Sequence, residues 1–484
     1  MLIAALMRVR FVTTPLTTDE GGYVAIGRAW RHGKSLYTTL WVDRPQGLIT
    51  VYRLWDTIGF SHTWWIRVLA IVAGSIAALG VAQLVTVLRS PRAGLVAGVL
   101  AAALSASPAL EGFTPSGELL GSTGSVFVLL IGCSVLLGRL SPRWMFAAGV
   151  AGGIAMSMKQ SGVDGLAALG SWLLLAFVLG WLPRRTAIVR AAQLVAGAVA
   201  VVAVLVLHGA LTGWSAYWYA VNGYRTEQRS VFVGAMWPRF YETAHVARGI
   251  LLPSLTIAVA VIVVLTAVRR LPSIPPLLWV LPLWMLTATG SFLAGGQFFR
   301  HYWVIVTFPT AALCGLVIGS VPLARWRTIA MVAALVPVAW SWWGIASVSR
   351  DEIPLVTGSN ARAVKSEGVA AWLRQHTQPG DTVYAMCARA DLYANAHADP
   401  PYPYLWFDNV HKVPGAMTAL RSLIASDHRP TYIAEFQPPR VCGFAGPFAV
   451  PLLLHYVRVA IIDGIPILKA TEPEDRPQPQ HTWQ

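Results

Sequence analysis

Apolar runs of close to 20 residues recur along this chain. They fall at 65–88, 93–110, 117–137, 144–158, 161–182, 187–210, 249–268, 277–296, 303–320 and 328–346. A helix of ~20 apolar residues crosses a hydrocarbon core of ~30 Å, so the pattern predicts a polytopic bundle of membrane helices. Residues 1–13 are apolar too, but at 1.5 Å per residue they reach only ~20 Å. Their charges follow the apolar stretch, the reverse of a signal peptide, so they read as the outer half of a first span that begins upstream. With it the spans number about 11. The 144–158 run is short, and the glycines of Ala148–Gly153 predict close helix packing there. A long polar stretch, 14–63, separates the first two spans.

After Ser349 the pattern changes. Ala361–His376 reads as an amphipathic helix closed by Pro379-Gly380, and Pro414–Ser426 as a second helix. Asp381–Met386, Thr431–Phe436 and Tyr456–Ile462 read as strands, with a short helix near Pro451–Leu454. Alternating helix and strand predict a small α/β domain with a mainly parallel sheet. The expected organisation is therefore a membrane domain over 1–349, an α/β domain over 350–470, and a disordered Pro- and Gln-rich tail over 471–484.

Composition agrees. The chain is 55% hydrophobic and 12% charged, against about 25% charged in soluble domains. The net charge of +15 is unevenly placed: residues up to Ser349 carry 25 Lys/Arg against 9 Asp/Glu, and the remainder is nearly balanced. A basic excess beside membrane spans fits anionic lipid and topology, not nucleic acid. Arg89, Arg92, Arg139, Arg143, Arg184, Arg185, Arg190, Arg269, Arg270, Arg325 and Arg327 all fall in short loops on one side. That side is cytoplasmic by the positive-inside rule. The other side receives 14–63, 108–117, 158–164, 211–248, 291–302 and everything after 347, with every acid of the chain; Asp164 is just inside a span. Acids contribute little to topology, so their segregation points to a working site on the extracytoplasmic face. Of the cysteines, Cys133 and Cys314 lie inside spans. Cys387 and Cys442 share the outer domain, where disulfides persist, and are expected to pair.

Candidate chemistry gathers at the outer face. Thr17-x-x-Glu20 fits a capping box, and Asp19 and Glu20 suit a first helical turn. A carboxylate at the membrane surface is also a candidate base, because partial burial raises its pKa. The same stretch carries Tyr23, Arg28, Arg31, Lys34, Tyr37, Trp41, Asp43 and Arg44, residues that equally serve as interfacial anchors. Glu118 opens a span and Lys159 separates two spans. Ionisable groups near membrane depth are costly and default to function, although a lysine also snorkels. Arg300-His301-Tyr302 ends another outer loop, and Arg and His both hold phosphate oxygens. Trp214, Tyr217, Trp218, Tyr219, Tyr224 and Trp237 in 211–248 suit either sugar stacking or the lipid interface.

Together these residues resemble the C-type (GT-C) polyprenyl-phosphate-dependent glycosyltransferases, near the protein O-mannosyltransferase and aminoarabinose transferase group, the family-39-like branch. The matching residues are Asp19-Glu20 with Tyr23, Leu36-Tyr37, Asp43-Arg44-Pro45-Gln46-Gly47, Lys159-Gln160 after a Gly-rich span, and His301-Tyr302 before a span containing Pro309. The resemblance covers about residues 15–320. It departs at Pro45-Gln46, where many relatives carry two prolines, and at the incomplete first span. It implies transfer of a sugar from a polyprenyl-phosphate donor in the outer leaflet to an extracytoplasmic acceptor. Asp19 would activate the acceptor hydroxyl, which displaces the lipid phosphate with inversion. Lys159, Arg300 and His301 would stabilise that phosphate. Glu20, Tyr23 and Asp43 would hold the sugar or the loop, and Arg44, Glu118 and Tyr302 complete the candidate site. Some relatives need a divalent cation and others do not; no metal ligand set stands out here.

A lipid-linked sugar flippase is the competing reading, together with a non-catalytic envelope assembly protein. A transporter places polar groups at mid-bilayer depth, whereas here they collect at one face.

Overall fold

Backbone polar groups in lipid must be satisfied within the segment, so apolar runs of this length become helices. The computed structural model describes residues 1–227, 229–268, 274–357, 362–387 and 389–471. Its helices run α1 Leu2–Val9, α2 Thr18–Arg31, α3 Gln46–Ile58, α4 Trp65–Leu88, α5 Pro91–Ser105, α6 Gly117–Leu136, α7 Trp144–Met158, α8 Asp164–Val178, α9 Arg184–Trp218, α10 Tyr224–Glu227, α11 Arg229–Ala267, α12 Val280–Gly295, α13 Val304–Gly319 and α14 Ala324–Ala346. Among the described residues, eight helical stretches are long and apolar enough to cross a membrane. The 15-residue helices α5 and α7 are apolar but shorter. This is a multi-pass membrane protein with fewer full-length spans than the apolar pattern suggests. The 93–110 run stops being α-helical at Ser105 and turns through Pro108–Leu110.

The bundle is held by small-residue contacts. Gly149 on α7 and Gly197 on α9 let the two backbones meet, and any Cβ at Gly197 would collide with the Phe146 carbonyl. Gly315 and Gly319 on α13 seat against Ala97 and Ala93 of α5. Without a hydrophobic drive between helices in lipid, such close approach supplies the packing energy.

The turns at 106–116, 219–227 and 296–303 line one cavity with the start of α2, and Gln160 of the 159–163 turn donates to the Val221 carbonyl. Arg89, at the break after α4, and Ser320, after α13, line a separate apolar pocket with Leu265 and Leu278. Arg269 and Arg270 lie outside the described residues.

Residues 211–248 are not an open loop. α9 continues to Trp218 through a kink at Gly213, where φ is 129° and glycine alone is unstrained. A π turn at Tyr219–Gly223 leads into α10, and α11 runs without interruption past Pro238 and Pro253. Their polar, aromatic composition marks helix that extends beyond the apolar layer.

The C-terminal part contains α15 Ile353–Val356, α16 Arg362–His376, α17 Asp391–Ala396, α18 Phe407–Lys412, α19 Ala416–Ala425 and α20 Val450–His455. Strands β1 Val383–Ala385, β2 Tyr432–Ala434, β3 Tyr456–Ile462 and β4 Ile465–Ala470 form one sheet, ordered β1-β2-β4-β3. The mainly parallel expectation is corrected. Only β1 and β2 are parallel, because β4 folds back on β3 through Asp463-Gly464 and inserts antiparallel beside β2. Cys387 and Cys442, with Cα atoms 5.6 Å apart, are joined by a disulfide. Of the segment expected to be disordered, all but Thr471 lies outside the described residues, as does Ala361.

One buried core fills the bundle. A second is shared: Tyr23, Ile26, Tyr37, Trp41 and Tyr52 of the first loop pack with Val369, Leu392, Tyr393 and Leu405 of the C-terminal domain. The domain is thereby seated on the first loop.

Candidate active site

The site begins with the start of α2. Thr17 accepts from the Glu20 backbone N–H (3.2 Å), while the Glu20 carboxylate accepts from the Thr17 N–H (2.9 Å), a complete capping box. The other Glu20 oxygen lies 2.8 Å from Arg67 of α4, and both side chains are almost wholly buried. Burial pushes the Glu20 carboxyl up, against the pull of Arg67. Glu20 therefore ties the loop to the bundle. Consecutive helical residues diverge by about 100°, so Asp19 turns elsewhere. It lines a cavity of about 330 Å³ and accepts a hydrogen bond from the Trp406 indole N–H at 2.9 Å.

The cavity lies where the outer ends of the bundle meet the first loop and the C-terminal domain. One wall is charged. Asp43 pairs with Arg44 at 2.8 Å and with Arg225 of α10. Burial pushes the Asp43 carboxyl up, but the two guanidiniums outweigh it and hold it at about 2. Tyr37 donates to the Arg44 carbonyl (2.9 Å), bracing the turn that presents this pair. Tyr23 stacks edge-on against Tyr52, and burial pushes both phenols well up.

Next to it stands a relay of alternating charge. Glu118, in the first turn of α6, pairs with Lys159. Lys159 lies over the Tyr302 ring, 3.2 Å from its centroid. His301 is bonded to Glu111 at 2.9 Å through Nδ1, and its Nε2 is 3.9 Å from Glu118. Two carboxylates thus face opposite nitrogens of one imidazole. Among the described residues no group of three or more His, Cys, Asp or Glu side chains could hold a metal ion.

Asp19, Glu20, Tyr23, Asp43, Arg44, Glu118 and His301 all line this one cavity. Lys159 and Tyr302 form the layer behind Glu118. Arg300 is absent from the lining and lies 3.7 Å from Glu242. Sequence reading missed Glu111, Arg225, Arg389, Trp406, Asp408 and Asn409, all of which line the cavity. Arg225 had one signal, a basic residue within the aromatic outer segment. The four C-terminal residues had none. Of the aromatics in 211–248, Tyr217 and Tyr224 pack edge-on against Tyr37 and Trp41, whereas Trp214, Trp218 and Trp237 are exposed.

The bundle, the juxtamembrane loop and the seated C-terminal domain together have the fold of the C-type glycosyltransferases. Among solved structures the chain is similar to ArnT from Cupriavidus metallidurans bound to undecaprenyl phosphate. That match has a TM-score of 0.66 at 14% identity, over 99% of this chain and 98% of that one. It is also similar to the Archaeoglobus fulgidus oligosaccharyltransferase in the apo form (TM-score 0.52, 15% identity, 94% of this chain and 72% of that one). Archaeal oligosaccharyltransferase AglB from Archaeoglobus fulgidus, in complex with an inhibitory peptide and a dolichol-phosphate, gives 0.51 at 13% identity, over 98% of this chain and 74% of that one. No family model and no curated protein matches the chain.

Proposed function

We propose that this protein is a membrane glycosyltransferase that moves a sugar from a polyprenyl-phosphate donor to an extracytoplasmic acceptor. The observation that carries the reading is the cavity itself: Asp19 shares its lining with Arg44, Arg225 and His301, and the C-terminal domain adds Arg389, Trp406, Asp408 and Asn409. The neighbours solved with undecaprenyl phosphate and dolichol-phosphate support a lipid-linked donor. The guanidiniums in the lining support it as well. Transfer frees a lipid phosphate, and preorganised cations stabilise the charge that develops on it. Arg44 and Arg225 line the cavity, with Lys159 behind Glu118.

In this reading Asp19 accepts the proton of the acceptor hydroxyl as that oxygen attacks the anomeric carbon. The bond to the lipid phosphate oxygen breaks from the opposite face, with inversion. Glu20, although it also lines the cavity, is held by Arg67 and keeps α2 in place. The site opens on the extracytoplasmic face, opposite the arginine-bearing loops.

The test is release of polyprenyl phosphate from a polyprenyl-phosphate sugar by the purified protein, in wild type and Asp19→Asn. Asparagine keeps the side chain's size and removes the base. Turnover should fall by roughly 10²–10⁴, with thermal stability little changed. Glu20→Gln should cost stability more than turnover, because it strips buried Arg67 of its partner. Near-normal turnover in Asp19→Asn would remove the catalytic role of this loop.

A further inference from the structure

Asp19 and Trp406 stand 387 positions apart in the chain, yet the indole N–H donates to the carboxylate Oδ1 at 2.9 Å. We infer that Trp406 is a positioning residue for Asp19, delivered by the C-terminal domain, so that the transfer centre is completed by that domain. The inference rests on the transferase reading above. An indole is a donor only, with a single N–H. It pins one carboxylate oxygen and leaves the other to meet an acceptor hydroxyl.

The surroundings are shaped for this contact. α2 carries Gly21-Gly22 where the domain descends. A Cβ at Gly21 would run into the Asp391 backbone, and one at Gly22 would lie 2.5 Å from the Trp406 ring. Bonds on either side fix the segment that bears the indole. Arg28 donates to the Ala394 carbonyl (2.7 Å) and Lys34 to that of Pro400 (2.5 Å), while the Pro403 carbonyl accepts from the Trp41 N–H (3.2 Å). Beyond the indole, Asn409 donates to the Tyr224 hydroxyl (3.3 Å). Held from both ends, Trp406 lies against Tyr23 with ring centroids 5.7 Å apart. A general base must sit within hydrogen-bond reach of the proton it takes, and this contact sets where the Asp19 oxygens lie.

Two measurements on the full-length protein in detergent test the inference. In wild-type protein labelled with ¹⁵N-tryptophan, the indole signal that W406F deletes should shift in D19N. An unmoved signal would overturn the proposal whatever the enzyme turns over. The second is turnover with undecaprenyl phosphate carrying mannose or arabinofuranose. W406F keeps an aromatic ring and loses only the donor and some bulk. It should lower kcat about 10- to 100-fold, the weight of one hydrogen bond to a charged group, with the donor KM within about twofold. G22A, which displaces the ring but keeps its N–H, should act in the same direction. The double variant should lose less than the product of the two single losses. If D19N is inactive and W406F turns over like wild type, this inference fails and the transferase reading stands. If D19N is itself active, the reading beneath it fails.

Discussion

Asp43 shows how a single residue in this cavity acts through its partners. It sits between Arg44 and Arg225, and its carboxyl is held at about 2 against an ordinary 3.8. A folded value below the unfolded one contributes stability that is complete above about pH 4. That stability is lost as pH falls toward 2. The shift corresponds to roughly 2 kcal/mol. Thermal melts of wild type and Asp43→Asn should therefore differ at pH 6 and converge as pH approaches 2; a gap that persists at pH 2 would assign the cost to packing. Legibility in the sequence was uneven at this scale. Asp19 and Asp43 stood out because adjacent charges at a membrane edge are conspicuous. Both Asp19 and Glu20 line the cavity, and the buried Arg67 guanidinium claims Glu20.

Among the elements, α7 and α9 are the pair most dependent on absent side chains. Gly149 lies against the Leu194 carbonyl and Gly197 against that of Phe146. Gly197→Val should push the helices apart and lower the melting temperature of the purified protein sharply. Gly170→Ala, at a position with nothing within 4 Å, should be neutral or slightly stabilising. Equal effects from the two would refute close packing as the reason for these glycines. Since α7 ends at Met158, immediately before Lys159, slippage of α7 should also weaken the Glu118–Lys159 pair. The glycine run pointed to close packing in advance. The identity of the facing helix did not follow, because small residues advertise proximity but name no partner.

At the scale of the whole molecule, none of the described short-loop arginines lines the cavity. We propose, from the positive-inside rule, that the cavity and the C-terminal domain lie outside the cytoplasm. A reporter active only outside the cytoplasm, fused after Lys469, should work, and a cytoplasm-only reporter at that site should be silent. The reverse pattern would invert the orientation. That proposal would put Cys387 and Cys442 in an oxidising compartment. Non-reducing peptide mass spectrometry of protein from intact cells should find them linked, and finding only free thiols at both positions would contradict that placement.

Hydrophobic periodicity alone determined the membrane bundle, the short α7, the polar first loop and the change of character after Ser349. These are local properties: a run either is or is not apolar enough for lipid, and a capping box closes within four residues. The tertiary structure decided what local pattern cannot encode. It turned 211–248 from an outer loop into helix, placed β4 antiparallel between β2 and β3, and moved Arg300 out of the cavity and Arg225 into it. It also brought Trp406 to Asp19. Strand order and hydrogen bonds between distant positions depend on how separate elements pack, and packing leaves no period in the chain.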